Sequence, residues 1–268
     1  MASTWTRGKV DPAMLVRPAA VAGSFYPASK SELSRLIDRL LDAAKRGPIA
    51  KALVVPHAGY AYSGPIAASG FARVPSSTRR VVLIGPAHRV FVRGMVAPGA
   101  DRLETPLGEV EVDTEALASV DIADDPHVHA HEHSLEVELP FIQRVAPQAK
   151  VVPIAVSNAS AEHVGQVIEA LWGGPETVIV ISSDLSHYHP YDDGRARDLH
   201  TVSRILALDP TLAGEDACGC TGLNGLAWAL RHKQISPELV DLRSSGDTAG
   251  SHEAVVGYAA IAFSEAAS

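Results

Sequence analysis

Val178-Ile179-Val180-Ile181 is an unbroken apolar run that stops abruptly at Ser182-Ser183-Asp184. A short β-branched run without helical periodicity reads as a strand buried on both faces, with the polar residues at its C-terminal end. Three other runs share this form. Ala52 to Val55 leads into Pro56-His57, Val81 to Ile84 ends in Gly85-Pro86-Ala87-His88, and Val151 to Val156 is the third. Helical patterns separate them. Ser29 and Glu32 have capping-box spacing ahead of Leu33, Leu36, Ile37, Leu40 and Leu41, and Gly47-Pro48 closes that helix. Ala161 to Leu171, roughly Ala196 to Leu208, and Leu223 to Arg231 read as further helices, with residues 238–243 and 254–263 as closing strands. Strands alternating with helices predict an α/β fold: a single domain over residues 17–265, with a mixed, mostly buried central sheet and helices on both faces. Residues 1–16 read as an N-terminal arm.

The composition narrows the function classes. With 46% hydrophobic residues in 268, the chain can bury a full core, which excludes a disordered segment or a disulfide scaffold. A formal charge of −8, with no basic cluster longer than Arg79-Arg80, offers no face for nucleic acid. The longest apolar stretch, Ala254 to Phe263, is too short for a bilayer span, which takes about 20 residues. Met1 to Arg17 lacks the apolar segment and cleavage site of a secretory leader. Both cysteines lie in Cys218-Gly219-Cys220, where a mutual bridge would be strained. A reduced, cytoplasmic protein without a membrane partner is expected. Neither a Walker A loop nor a Rossmann glycine fingerprint occurs, so no nucleotide cofactor is expected.

Polar residues gather where strands end. His57, His88 and the Asp184/His187 pair each follow a strand, and open α/β sheets bind ligands in the crevice beyond those ends. Glycines 59 and 64 would let the chain after His57 turn sharply. Neutral imidazoles ligate Zn, Fe and Cu, and two of them need further donors; Cys218, Cys220, Asp184, His187 and Glu136 are the candidates. A thiolate would favour a softer metal, whereas a carboxylate would give a facial triad for non-haem iron. Asp184 and His187, three residues apart, would share one face of a helical turn, where the aspartate could orient the histidine as a general acid/base. A serine nucleophile lacks its Gly-x-Ser-x-Gly elbow. His127, His129, His131 and His133 alternate with period two, but Asp124-Asp125-Pro126 ahead of them signals a loop, so His127, His129 and His131 are expected in solvent. Leu135 and Leu139 give the next stretch a helical apolar face that could hold His133 or Glu136 toward the rim.

One ordered set of short motifs runs from about residue 17 to 263. It comprises Gly23-Ser24-Phe25-Tyr26-Pro27, Pro56-His57-Ala58-Gly59-Tyr60, Gly85-Pro86-Ala87-His88, Thr105-Pro106-Leu107-Gly108 and Glu132-His133-Ser134-Leu135-Glu136. Ser182-Ser183-Asp184 with His187, Cys218-Gly219 and Val256-Gly257-Tyr258 complete it. The set resembles the Memo family, whose bacterial and archaeal members are known as AmmeMemoRadiSam system protein B. The resemblance implies a fold similar to that of class III extradiol dioxygenases, which hold non-haem Fe(II) with two histidines and a glutamate. In the family a cysteine takes the carboxylate position, so the implied metal ligands are His57, His88 and Cys218. Cys218 is implied over Cys220 because Cys218-Gly219 matches the family's step. Asp184, His187 and Tyr62 match further pocket residues. Phe25 stands where the animal protein has a tryptophan, a departure that touches the peptide-binding role described there.

The expectation is thus a cytoplasmic metalloprotein with one mononuclear site, holding Fe(II), or copper as second choice. O₂-dependent oxidation of a small organic substrate is the corresponding reaction. His187 would serve as acid/base oriented by Asp184, His133 would donate a hydrogen bond, and Tyr62 and Phe25 would line the substrate pocket. A functional link to a radical-SAM protein is implied by the family name. Two other readings differ in class: a binding or scaffold protein that uses the same pocket without turnover, and a zinc hydrolase, since His/His/Cys plus water is also a catalytic zinc arrangement.

Overall fold

The computed structural model describes residues 14–265. Its first elements are β1 (Val16–Arg17), α1 (Lys30–Ala43), β2 (Ala52–Val55), α2 (Tyr60–Phe71) and β3 (Arg80–Pro86). Next come β4 (Met95–Ala97), β5 (Arg102–Thr105), β6 (Gly108–Glu111), α3 (Thr114–Ala118), β7 (Ala123–Asp124) and α4 (Pro126–Ala130). A 3₁₀ turn at Glu136–Glu138 leads into α5 (Leu139–Val145), β8 (Lys150–Val156), α6 (Ala161–Ala170), β9 (Thr177–Ser182) and β10 (His187–His189). Then α7 (Tyr191–Leu206), α8 (Cys220–Leu230), β11 (Ile235–Ser244) and β12 (Val255–Glu265) follow. Residues 1–13, which carry most of the expected arm and of the segment read as lacking a leader, lie outside the described residues; Val16 already pairs with Arg102.

The protein is a single α/β domain built on one large mixed sheet. Its centre is parallel, in the order β2-β9-β3-β8, so residues just beyond β2, β9 and β3 emerge at one edge. β12 and β4 flank this centre antiparallel, against β2 and β8 respectively. A small sheet, β1-β5-β6, lies apart.

The period-two alternation of strand side chains divides the core in two. Leu53, Val55, Val81, Leu83, Val178 and Val180 point to one face, where they pack with Leu33 and Ile37 of α1, Phe71 of α2 and Phe141 of α5. Val54, Val82, Ile84, Ile154, Ile179 and Ile181 point to the other, against Val164 and Ile168 of α6, Ile205 of α7 and Leu223 and Leu226 of α8. Helices on both faces explain why these strands are apolar throughout.

Local expectations fail in instructive places. Ser29 is the N-cap of α1, but its side chain makes no capping bond, and the helix ends at Ala43, ahead of Gly47-Pro48. The glycines after His57 do not make a loop; they belong to α2 or cap it. Gly59 is its N-cap and Gly64 lies inside, where a β-carbon would meet Leu40 Cδ1 at 3.0 Å. The small size of Gly64 serves close packing. No helix among the described residues is long and apolar enough to cross a membrane.

Candidate metal centre

Three segments meet at the carboxyl edge of the parallel strands. His57 follows β2 and His88 follows β3, on either side of β9 in the sheet. Cys218 stands just before α8, whose N-terminus approaches the end of β9 closely. The Gly219 amide donates to Ser183 Oγ at 2.9 Å, and a β-carbon on Gly219 would lie 2.6 Å from Ser183 Cβ and 2.7 Å from the Ser182 carbonyl oxygen. Only glycine lets the chain come this near, and the approach brings Cys218 Sγ to 3.4 Å from His57 Nε2. One donor atom from each of His57, His88 and Cys218 lies within 4.8 Å of the others. The three ligands implied by resemblance are therefore brought together.

Each imidazole is held through its far nitrogen. His57 Nδ1 lies 2.7 Å from Ser182 Oγ, and its backbone amide donates to Asp184 Oδ1 at 2.9 Å. His88 Nδ1 lies 3.1 Å from Glu132 Oε1, and its amide donates to Glu132 Oε2 at 2.5 Å. Such outer partners fix ring orientation and leave the opposite nitrogen for a ligand. Burial, with His88 and His133 nearby, pushes the His57 pKa well below its ordinary value, so its imidazole is neutral, the ligating form. Burial and the charge of Asp184 push the Cys218 thiol upward, so a metal would have to displace its proton. Asp184 is raised to about 6 by burial, against hydrogen bonds from the His57 amide. A donor set of two imidazoles and one thiol, oriented by outer hydrogen bonds, fits a borderline metal such as iron, copper or zinc.

The remaining site candidates divide. His133 joins the cluster, its ring centroid 4.8 Å from His88, 5.5 Å from His57 and 4.7 Å from Phe25. Its Nδ1 lies 3.2 Å from Glu132 Oε1, but outside hydrogen-bonding geometry. Phe25 is half-buried beside it. His187 is half-buried and close enough for its charge to act on both His57 and Asp184. It opens the edge strand β10, however, and no helical turn places it above Asp184. Asp184 bonds the His57 amide and shows no hydrogen bond to His187. Tyr62 is 41% exposed on the first turn of α2. Cys220 is the first residue of α8, packed beside the apolar core of that face.

Two expectations about acidic and histidine residues are corrected. Glu136 does not reach the rim: it pairs with buried Arg17 and accepts from the amides of Ala20 and Val21 and from Tyr26 Oη. A fully satisfied carboxylate of this kind fastens the chain around β1 to the 3₁₀ turn. The histidine tract is not a uniform loop. Asp125 caps the short helix α4 by accepting from the amides of His127 and Val128; His127 and His131 are exposed, but His129 is buried with Nε2 3.0 Å from the Val96 carbonyl. The alternation hid the residue that matters here, Glu132. It receives the amides of His88, Arg89, His133 and Ser134. Although burial opposes ionisation, the adjacent His133 and His88 rings and the Ser134 amide hold its carboxyl far below the usual range. Its place between two histidines in Glu132-His133 was the available signal.

Beside His88 and Cys218 a recess of about 440 Å³ is lined by Phe91, Val156, Ser157, Asn158 and Thr221, with no carboxylate or cationic side chain.

Fold and site together define an α/β protein with a His/His/Cys group at the carboxyl edge of its sheet. The family model of Memo-like protein matches residues 17–262. A MEMO1 family protein of Aquifex aeolicus is 36% identical, with 93% of this chain and 100% of that protein covered. Those of Archaeoglobus fulgidus (36% identical; 92% and 99% covered) and Ignicoccus hospitalis (35%; 93% and 99%) are similar to the same extent. The chain belongs to the Memo family.

Proposed function

We propose that the protein is a cytoplasmic metalloprotein with a mononuclear His57/His88/Cys218 site for Fe(II), with copper as the second choice, and that it oxidises a small uncharged organic substrate with dioxygen. The convergence of three donor atoms within 4.8 Å from segments far apart in sequence carries this reading. When bound, iron would supply redox chemistry and an open coordination position. The chain's own residues would do the rest. Glu132 and Ser182 orient the two imidazoles. His187, at the solvent side, holds or releases a proton as acid/base, and His133 can donate a hydrogen bond toward a ligand from its stacked position on His88. Phe25 and Tyr62 would line one approach, and the recess at Phe91, free of carboxylate and cationic side chains, supports an uncharged substrate. A link to a radical-SAM protein belongs to the same proposal.

Metal analysis of protein purified without oxygen tests the site. One equivalent of iron or copper is expected in the wild type, and its loss in His57→Ala. Stoichiometric metal persisting in that variant would sink the assignment. Turnover is then tested by oxygen consumption in a catechol-type substrate screen. Loss of oxygen uptake in His187→Ala with metal retained is the expected signature. Bound zinc without oxygen uptake would instead favour a hydrolase, and partner binding by metal-free protein a scaffold.

A further inference from the structure

Ser182 Oγ has three close neighbours: the Ser134 carbonyl oxygen at 2.7 Å, Glu138 Oε1 at 2.9 Å and His57 Nδ1 at 2.7 Å. A hydroxyl carries one hydrogen and two lone pairs. The Ser134 carbonyl can only accept, so the single hydrogen goes there. Both lone pairs must then receive hydrogens, one from His57 and one from Glu138. With an ionised Glu138, two oxygens would face each other at 2.9 Å with no hydrogen between them, or the Ser134 carbonyl would lose its partner.

We propose that Glu138 is a neutral carboxylic acid which donates to Ser182 and, through that hydroxyl, holds His57 as the Nδ1–H tautomer with its Nε2 lone pair turned to Cys218. Glu138 is thus a positioning residue acting at two removes from the proposed metal, and its metal-related half rests on the reading above. The surroundings agree. Glu138 is completely buried and its Oε2 has no partner. Among the described residues no cationic side chain pairs with it, and the titratable groups that face it are Asp184 beyond β9 and Tyr60 on α2, neither of which favours a carboxylate. Burial, with the charge of Asp184, raises its pKa well above the ordinary value. An unpaired buried carboxylate would be strongly unfavourable.

Carboxyl ¹³C spectra of metal-free, ¹³C-glutamate-labelled full-length protein, assigned with Glu138→Gln, test the proton directly. The Glu138 signal should stay at the protonated position through neutral pH; an ionised signal there would overturn the proposal. Ring ¹⁵N spectra should show His57 with hydrogen on Nδ1 in wild type and in Glu138→Gln, whose amide still donates, and a loss of that preference in Glu138→Met. Hydrogen on Nε2 in the wild type, or an unchanged tautomer in Glu138→Met, would overturn it. Titration with Fe(II) or Cu(I) should leave Glu138→Gln within about twofold of wild type and weaken Glu138→Met about 10–100-fold. Absence of metal binding in the wild type would defeat the metalloprotein reading alone, because the carboxyl and ring spectra are taken without metal.

Discussion

At the scale of single residues, two buried glutamates six positions apart are driven to opposite charge states by their partners. Glu132 receives four backbone amides and stays ionised; Glu138 meets a hydroxyl and little else. The consequence for stability has a definite sign. Because the folded pKa of Glu138 is raised above its ordinary value of 4.5, its contribution is fully present below that pH. It is lost as pH rises toward the folded value, at up to ~1.4 kcal/mol per pH unit. Glu138→Gln removes that slope, so denaturant melts between about pH 5 and 7 should show the variant gaining on wild type steadily. Parallel pH profiles would contradict this. Glu132 acts through His88. Glu132→Ala should weaken metal binding about 10–100-fold, and anaerobic titration of folded protein, checked by circular dichroism, measures it.

Among the elements, the approach of α8 to β9 sets the site. The β-carbon in Gly219→Ala would collide with the Ser182 carbonyl, which belongs to a buried strand and has little room to move. A loss of about 1–3 kcal/mol is expected, with reduced metal content, read from thermal melts and metal analysis of the same sample. Ordinary stability with full metal would show that α8 can shift without cost. The same closeness marks the limit of what the sequence makes legible. The four central strands are readable because burial on both faces leaves unbroken apolar runs. The strand-end rule then places His57, His88 and Asp184 at one rim. Helix α2 is not readable, since its Gly64 and Gly70 imitate a loop signal while meeting a tertiary demand. Gly70, for instance, lies where a β-carbon would be 2.6 Å from Val55 Cγ1. His129 and Glu136 defeat local reading for the same reason: their partners, Val96 and Arg17, lie far away in sequence. Cys218 is singled out from Cys220 by family resemblance, and the geometry agrees with it.

For the molecule as a whole, the two half-cores share one sheet and should lose structure together. Trp172 and Trp228 both belong to the α6–α8 side, whereas Phe141 belongs to α5 on the other side, stacked on Phe71 at 5.2 Å. Phe141→Ala should cost about 3–5 kcal/mol. It should also lower the unfolding midpoint seen by tryptophan fluorescence as much as that seen by far-ultraviolet dichroism. Separate midpoints would mean that the two layers unfold independently. The place of β12 has a different consequence, one of timing. It follows every other described strand in sequence, yet it covers the edge of β2 and pairs with β10 and β11. While a ribosome is still making the chain, β2 must wait with that edge bare, on the order of ten seconds or more at ordinary elongation rates. The nascent chain is most open to wrong pairing during that wait, and chaperone protection matters most there.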